Sequence, residues 1–170
     1  NVVAVLVEPI QGEGGIRPLD LDYLQGLRDL CSQNQWLLMF DEVQTGNGRC
    51  GSTYVCEQLE IEPDVLLTAK GLGNGLPIGV CMARGEAAQL LGPGDHGSTY
   101  GGNPLCCAAA IAVLTTLFED NVMQRATTVR DALLSALHQQ LSDPGLITEV
   151  RGRGLMIGIQ PSVATKEVVQ

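Results

Sequence analysis

Two short runs of apolar residues, separated by a segment with helical spacing, place the strongest limit on how this chain folds. The runs VVAVLVEPI (2–10) and WLLMFDE (36–42) are rich in β-branched and large apolar residues, as strands buried on both faces are. Between them, apolar residues recur at helical spacing from Asp20, a residue type that favours the N-cap of a helix. This order predicts a strand–helix–strand unit with two parallel strands, and therefore an α/β fold.

Two further strands and two long helices follow along the chain. DVLLTAK (64–70) and IGVCMA (78–83) have the apolar, β-branched composition of buried strands. Asn103 and Pro104 are residue types that favour the N-cap and the first position of a helix, and a long apolar run follows them. A second helix is predicted from about residue 122 to residue 141.

The C-terminal part of the chain has a different pattern. Residues 147–160 (ITEV, then RGRG, then LMIGIQ) predict two short strands joined by a turn. We therefore expect a mostly parallel sheet with flanking helices in residues 1–125, and the start of a small α+β domain in residues 126–170. The chain opens inside a strand-like run without an initiator Met, and it ends soon after another such run. We expect a fragment of a longer protein, with an incomplete large domain.

The composition argues against several classes of function. The net charge is −9 and the arginines are scattered without a basic cluster, so we do not expect nucleic-acid binding. No apolar run is long enough to predict a membrane span. The six cysteines include no C-x-x-C pair, and both histidines lie far from any cysteine pair. This pattern indicates reduced thiols in a cytoplasmic protein rather than disulfides or a metal site.

Three residues that carry chemistry follow three of the predicted strands. Glu8 ends the first run, Asp41 the second, and Lys70, one of only two lysines in the chain, the third. Taken singly, such acids are commonly turn or cap residues, and a lysine is commonly a solvated charge. In a parallel sheet, however, the carboxyl ends of neighbouring strands meet at one edge, where ligands bind. If these strands are neighbours, the three side chains form a site.

A lysine beside an aspartate suits one cofactor in particular. The apolar run before Lys70 predicts a desolvated side chain, and desolvation favours the neutral amine that forms a Schiff base with a carbonyl. Pyridoxal 5′-phosphate (PLP) offers such a carbonyl and needs a carboxylate beside its ring nitrogen, which Asp41 can supply. Ser98 and Thr99, in HGSTYGGNP (96–104), are candidate phosphate ligands before a helix N-terminus. The glycines after Lys70 have neither the dinucleotide-loop spacing nor the Walker A spacing.

Five motifs, in order along the chain, resemble the class III PLP-dependent aminotransferases: LVEPIQGEGGI, FDEVQTGNGRCG, LLTAKGLGNGLPIG, HGSTYGGNPL and EVRGRGL. The resemblance implies fold type I, PLP as cofactor, and transfer of an amino group between small molecules. Within the family the motifs look most like the members that transfer the amino group of acetylornithine to 2-oxoglutarate in arginine biosynthesis. Members that use succinylornithine, ornithine or 4-aminobutyrate are close behind. The residues also leave open a class III mutase or decarboxylase, and a truncated chain that only binds or dimerises.

The resemblance also implies a set of cofactor contacts. Lys70 matches the lysine that holds PLP and shuttles a proton, and Asp41 matches the aspartate that pairs with the ring nitrogen. Val43 matches the residue packed behind the ring, and Gln44 the glutamine near the ring's 3′-oxygen. Thr99 matches the threonine that reaches the cofactor phosphate of the neighbouring subunit, which implies a homodimer. The full expected set of cofactor-binding residues is Glu8, Asp41, Glu42, Val43, Gln44, Lys70 and Thr99.

Three residues are implied as substrate contacts. Arg151 matches the arginine that holds the α-carboxylate of 2-oxoglutarate or glutamate, for which a planar guanidinium is well suited. Ser98 is expected to touch the substrate. Glu13 matches a glutamate that pairs with this arginine in one half-reaction and masks it until glutamate arrives. Asn47 and Cys50 depart from the family pattern, which more often has an apolar residue and a Thr at these positions.

Overall fold

A computed structural model of the chain describes residues 2–140 and 145–168. The strands, in chain order, are β1 (Ala4–Val7), β2 (Ile10–Gln11), β3 (Arg17–Pro18), β4 (Leu37–Asp41), β5 (Val65–Thr68), β6 (Val80–Ala83), β7 (Ile147–Arg153) and β8 (Met156–Pro161). The α-helices are α1 (Leu21–Asn34), α2 (Val55–Leu59), α3 (Pro104–Glu119), α4 (Val122–Gln140) and α5 (Thr165–Val168). Short 3-10 turns span Lys70–Gly73 and Gly85–Gln89.

The main sheet has the order β1-β4-β5-β6. β1, β4 and β5 are parallel neighbours, and β6 is antiparallel to β5. The predicted strand–helix–strand unit and the mostly parallel sheet are therefore confirmed. In the pairing register Val7 lies opposite Phe40, and Asp41 lies opposite Leu67, so the three parallel strands end at one edge.

The first strand differs from the prediction of a strand buried on both faces. β1 covers only Ala4–Val7, and Val3 and Leu6 are 72% and 59% exposed. The reason is topological: within the described residues β1 pairs only with β4, so it is an edge strand. β6, at the opposite edge, has all four residues exposed.

The core forms where α1 packs on β1 and β4. Asp20 is the N-cap, as predicted, and its carboxylate accepts hydrogen bonds from the backbone N–H groups of the first turn. Leu24 and Cys31 on α1 are fully buried, as are Leu38 and Phe40 on β4. Full burial of each such side chain stabilises the fold by about 1.5–3 kcal/mol, so this layer fixes the sheet on which the site is built.

The C-terminal elements return to the carboxyl edge of the sheet. Asn103 caps α3 as predicted, with its Oδ1 accepting from the Cys106 N–H at 2.9 Å. α3 packs against the 3-10 turn that begins at Lys70. Gly154, in the β7–β8 turn, has φ +51, and a Cβ there would stand 2.5 Å from Cys50 Cα. Only glycine allows the hairpin to lie this close to the loop after β4.

Two sequence expectations concern the ends of these elements. The predicted second helix corresponds to α4, and its predicted last residue, Leu141, lies outside the described residues. The proposed domain boundary between residues 125 and 126 falls within α4 and stays a prediction.

Within the described ranges, no single helix is both long enough and apolar enough to cross a membrane. α3 and residues Val122–Leu137 of α4 meet the length and hydropathy criteria only when they are taken together, and the two helices are bent by 68° relative to each other.

Candidate active site

The structure brings Glu8, Asp41 and Lys70 to the same edge of three neighbouring strands. Glu8 follows the last pair of the β1–β4 ladder, Asp41 is the last residue of β4, and Lys70 lies two residues beyond the end of β5. Glu8 Oε2 accepts from the Gly12 N–H at 3.0 Å, and Asp41 Oδ1 accepts from the Val43 N–H at 3.0 Å. The predicted convergence at the carboxyl edge is confirmed, while the chemical roles of the three residues stay proposals.

Lys70 has an unusual backbone conformation. Its φ is +46°, in the left-handed region that non-glycine residues rarely adopt. Such conformations cost of order 1–3 kcal/mol each and persist where surrounding contacts impose them. The strained turn directs the chain away from β5 at the edge of the sheet.

The side chain of Lys70 is exposed in this chain, which differs from the desolvated lysine that the sequence predicted. The apolar residues before it, Val65 and Leu66, lie in β5 and are buried in the core. The residues after it, Gly71 and Gly73, have no side chains that would cover the amine. The apolar run therefore desolvates the strand and not the lysine that follows it.

Asn47 holds the strand end that leads to Lys70. Its Nδ2 donates to Thr68 Oγ1 at 2.8 Å and to the Ala69 carbonyl at 3.1 Å. Its Oδ1 is buried, and within the described residues it has no hydrogen-bond partner. Asn47 also has a left-handed φ of +56°. The sequence identified Asn47 only as a departure from the family pattern, and that departure was the one signal of this role.

Glu42 is fully buried and makes three hydrogen bonds that have no part in a ligand site. Its carboxylate accepts from the Thr45 hydroxyl at 2.8 Å and from the N–H groups of Val55 and Cys56 at 2.7 and 2.8 Å. The N–H groups of Val55 and Cys56 lie in the first turn of α2, where the helix itself offers them no acceptor, so the Glu42 carboxylate caps this helix. Glu42 was expected among the cofactor contacts, and the structure instead gives its side chain a structural role.

The charge of this buried carboxylate acts on two nearby thiols, that of the buried Cys50 and that of the partly buried Cys56. Burial raises the pKa of the Cys50 thiol from 9.0 to about 12, and the negative charge of Glu42 adds to the shift. Burial and Glu42 likewise raise the pKa of the Cys56 thiol from 9.0 to about 12. Both thiols are therefore protonated and poorly nucleophilic at neutral pH. All six cysteines of the chain are free.

Arg151 and Glu13 do not pair in this structure, contrary to the expected masking pair. Glu13 Oε1 accepts from Gln44 Nε2 at 3.1 Å. Arg151 donates from Nε to the Gly15 carbonyl at 2.9 Å and from one terminal nitrogen to Glu149 Oε2 at 2.9 Å. Sequence reasoning missed Glu149, although it stands two positions before Arg151 and so on the same face of a strand.

A cavity of about 620 Å³ lies between the carboxyl edge of the sheet, α4 and the β7–β8 hairpin. Val43, Gln44 and Lys70 line it on the sheet side, and Arg49 and Arg125 add two further positive charges. Among the described residues that line it there is no carboxylate. The volume and the charge suit a small anionic molecule.

Ser98 and Thr99 are not brought to Lys70. Both lie in the exposed segment before α3, and the Ser98 carbonyl accepts from the Gly101 N–H at 3.2 Å within the same turn. Across the parts of the chain that the structure describes, neither makes a hydrogen bond to Asp41 or Lys70. A role for Thr99 at a neighbouring subunit is compatible with this placement and stays a proposal.

Comparison with known proteins gives a consistent result across the whole chain. Residues 1–170 match the family model described as Aminotransferase class-III. The chain is 49% identical over 160 residues to acetylornithine aminotransferase 1 of Bordetella pertussis, an alignment that covers 94% of this chain and 41% of that protein. It therefore spans about two fifths of the length of this curated relative.

Solved structures give the same fold. Ornithine aminotransferase of Plasmodium yoelii matches with a TM-score of 0.89 and 37% identity, over 99% of this chain and 46% of that one. Ornithine aminotransferase of Toxoplasma gondii, in a crystal structure described with partial occupancy of PLP at the active site, matches with a TM-score of 0.86 and 40% identity, over 93% of this chain and 38% of that one. The chain thus has the fold of the PLP-dependent aminotransferases of fold type I, as the sequence predicted.

Proposed function

The chain belongs to the class-III aminotransferase family, and on that premise we propose that the full-length protein is a PLP-dependent transaminase that moves the amino group of N-acetylornithine to 2-oxoglutarate, a step of arginine biosynthesis. The observation that carries the proposal is the placement of Asp41 and Lys70 at one edge of two adjacent parallel strands. The choice of donor rests on curated relatives at 45–50% identity that are named acetylornithine aminotransferases. The solved structures do not separate the two donors, since ornithine and acetylornithine aminotransferases match at similar identities of 36–40%.

The residues at this edge fit PLP by their chemistry. A primary amine and a carboxylate are the two groups that the cofactor's aldehyde and ring nitrogen require, and Lys70 and Asp41 supply them. When bound, PLP supplies an electron sink for the charge that develops at the substrate carbon that bears the amino group. Val43 and Gln44 line the cavity on the sheet side and are the proposed contacts to the ring. Glu8 supports the same edge by fixing the Gly12 N–H.

Lys70 and Asp41 have separate tasks in the proposed reaction. With PLP bound, Lys70 Nζ would hold the cofactor in the resting enzyme and, once displaced by the amino donor, would act as the base and then the acid for the proton on the substrate carbon that bears the amino group, which is Cδ of acetylornithine and Cα of glutamate. The Asp41 carboxylate keeps the ring nitrogen protonated by ion pairing. The turn that carries Lys70 is held by Asn47 through the Ala69 carbonyl, which limits the positions that the amine can reach.

Arg151 is the proposed ligand of the α-carboxylate of glutamate and 2-oxoglutarate. A guanidinium binds a carboxylate through two parallel N–H···O bonds, which orients the substrate as well as binding it. Arg151 stands on β7, and the adjoining β8 contributes Met156 and Ile157 to the wall of the cavity that contains Lys70. Ser98 and Glu13 complete the proposed set of substrate contacts.

Assembly and location are part of the proposal. Thr99 lies in an exposed segment, where it is free to contact the cofactor phosphate of the partner subunit in a homodimer. The free state of all six cysteines favours a reducing, cytoplasmic location.

Reductive trapping tests the proposal. The full-length protein is incubated with PLP, reduced with borohydride, digested and mapped by mass spectrometry, with Lys166 as the internal control because it is exposed and distant in sequence. We expect the pyridoxyl label on Lys70 and none on Lys166. A Lys70→Arg variant is expected to lose the label and the transaminase activity by a factor of at least about 10²–10⁴. Label on Lys166 at the level of Lys70, or activity in Lys70→Arg, would contradict the assignment.

A donor series tests the substrate. Initial rates of glutamate formation are compared for acetylornithine, succinylornithine, ornithine and 4-aminobutyrate with 2-oxoglutarate as acceptor. We expect the highest kcat/KM for acetylornithine. A preference for another donor would keep the transaminase assignment and replace the donor, whereas release of CO₂ or isomerisation without glutamate would replace the reaction class.

A further inference from the structure

The side chain of Asn47 contacts the backbone on both sides of Lys70. Before the lysine, Asn47 Nδ2 donates to Thr68 Oγ1 at 2.8 Å and to the Ala69 carbonyl at 3.1 Å. After the lysine, a Cβ placed on Gly71 would stand 3.4 Å from Asn47 Cβ, so the same side chain lies against this residue as well. Lys70 therefore stands in a turn that is in contact with Asn47 at its start and in its interior.

The orientation of the Asn47 amide follows from its partners. A backbone carbonyl can only accept a hydrogen bond, so the Nδ2 amino group must face Ala69 and Oδ1 must point elsewhere. Oδ1 is buried there, and within the described residues it has no hydrogen-bond partner. An unpaired buried acceptor is unfavourable. The chain thus keeps the two donated bonds in spite of an unsatisfied oxygen, which indicates that these bonds are what the amide supplies.

The Ala69 carbonyl is the point on which the lysine turn is built. It also accepts from the Leu72 N–H at 3.0 Å, the bond that closes the 3-10 turn beginning at Lys70. Within that turn Lys70 has its left-handed φ of +46°, a conformation that persists only where surrounding contacts impose it. Asn47 binds the same carbonyl from outside the turn, so it is one of the contacts that impose this conformation.

Asn47 is itself fixed in place. Its backbone N–H donates to the Thr53 carbonyl at 2.7 Å, and its acceptor Thr68 is 2% exposed at the end of β5. Asn47 is among the residues that line the cavity with Lys70, but its Nδ2 is used by the protein and its Oδ1 is buried. Its polar atoms are therefore available to the turn and not to a substrate.

We propose that Asn47 is a positioning residue for Lys70: through the Thr68 hydroxyl and the Ala69 carbonyl it keeps the turn in one conformation, and so keeps Nζ where proton transfer requires it. The proposal rests on the proposed function in that it takes Lys70 as the group that transfers the proton. The role is particular to this chain, because the class III family more often has an apolar residue at this position, and an apolar side chain cannot donate these bonds.

The expected effect is on the rate and not on substrate binding. Misplacement of a reacting group by about 1 Å lowers a rate by up to about 100-fold. Asn47→Gly removes the amide and accepts the left-handed φ without strain, and we expect it to lower kcat per bound PLP about 10- to 100-fold. The KM values for acetylornithine and 2-oxoglutarate are expected to stay within about twofold, since catalysis and not uniform binding is affected.

A milder variant at Thr68 tests the same contacts. Thr68→Val removes one of the two acceptors of Asn47 and leaves the bond to the Ala69 carbonyl, so we expect a smaller loss in kcat, about three- to tenfold. The double variant Asn47→Gly/Thr68→Val is expected to have about the kcat of Asn47→Gly alone, because both substitutions act through the same amide.

The experiment uses the full-length protein and two readouts. The first is hydrogen exchange, followed by mass spectrometry in peptides that contain residues 69–73, without substrate. The second is kcat, normalised to bound PLP, together with both KM values. The matched control is Asn121→Gly, the same substitution at an exposed residue with a φ of +53°. We expect the Leu72 N–H to exchange about tenfold faster in Asn47→Gly than in the wild type and in Asn121→Gly.

The two readouts separate the failure of each proposal. Unchanged exchange in Asn47→Gly, or faster exchange with unchanged kcat, overturns the positioning role. A higher KM with unchanged kcat overturns it too, since Asn47 would then act on substrate binding. A full-length protein that does not transaminate, but in which Asn47→Gly speeds exchange as expected, overturns the proposed function and supports Asn47 as the residue that holds the Lys70 turn.

Discussion

The two halves of the candidate site are held together in different ways. On the sheet side, the Glu42 carboxylate is fully buried and accepts three hydrogen bonds, and Asn47 binds the Thr68 hydroxyl and the Ala69 carbonyl. On the hairpin side, Arg151 is paired with a carboxylate that is 53% exposed. Buried polar networks are costly to break, whereas exposed ion pairs are exchanged at little cost.

This difference matches what each half is proposed to do. In the proposed reaction Asp41 and Lys70 act on a cofactor that stays bound through many turnovers, so a fixed geometry is useful there. In the proposed reaction Arg151 binds a substrate carboxylate and releases it in every cycle, so weak ion pairs are useful there. The comparison predicts that variants on the sheet side mainly lower stability and kcat, and that variants on the hairpin side mainly change binding.

The largest expected effect is that of Glu42→Ala on stability. It leaves the N–H groups of Val55 and Cys56 and the Thr45 hydroxyl without their acceptor in a buried place, and we expect a loss of about 3–5 kcal/mol in the free energy of unfolding. Glu149→Ala is the matched control, with an expected loss below about 1 kcal/mol. Urea unfolding of the full-length protein measures both. Equal losses for the two glutamates would remove the contrast between the halves.

Substitution of Asn47 has the next largest expected effect. Asn47→Asp removes both donated hydrogen bonds and places a charge beside two acceptors, so we expect a loss of about 2–3 kcal/mol. Asn47→Gly also removes the bonds, but it removes the unpartnered Oδ1 as well and accepts the left-handed φ of +56° without strain, so its loss is expected to be smaller, about 1–2 kcal/mol. Unfolding measurements on both variants decide this order. A glycine variant that is the less stable of the two would mean that the side chain, including its buried oxygen, stabilises the folded protein.

The sequence was sufficient for the elements whose signals are local. The caps Asp20 and Asn103 were predicted from residue type and position, and both accept the expected N–H groups. The common edge of Glu8, Asp41 and Lys70 followed from strand order, because parallel strands joined through a helix must end on the same side.

The sequence was insufficient where a side chain chooses among distant partners. Asp41 and Glu42 are adjacent and so point to opposite faces of the strand, but only the position of α2 shows which one is buried. Arg151 was expected to pair with Glu13, and its actual partners depend on the β7–β8 register and on the carbonyl of Gly15, 136 positions away. Such contacts have no local signal.

Gly158→Ala tests the packing of the hairpin against the loop after β2. A Cβ at this position would stand 2.9 Å from Ile16 Cβ and 3.2 Å from the Gly15 carbonyl oxygen, which also accepts from Arg151 Nε. We expect a loss of about 1–2 kcal/mol in stability, and a higher KM for 2-oxoglutarate because the arginine is displaced. Gly26→Ala in α1 is the control: a Cβ there meets nothing within 4 Å, and alanine favours the helix by up to about 1 kcal/mol. A Gly158→Ala protein with unchanged stability and KM would show that the hairpin is not held at this point.

Replacement of the two thiols on the sheet side, Cys50 and Cys56, is expected to have the smallest effect on stability at neutral pH. At alkaline pH the same replacement is expected to change how steeply stability falls. Burial, with the charge of Glu42, raises the pKa of Cys50 and Cys56 from 9.0 to about 12, so the folded state keeps these protons to a higher pH than the unfolded state does. Their contribution to stability is therefore complete below about pH 9 and is lost as the pH rises from 9 to 12. We expect the Tm of the wild type to fall over this range more steeply than that of Cys50→Ala/Cys56→Ala, with each protein referred to its own Tm at about pH 7. Parallel slopes for the two proteins would mean that these thiols do not control alkaline unfolding, and that the buried half of the site is no more sensitive to base than the hairpin.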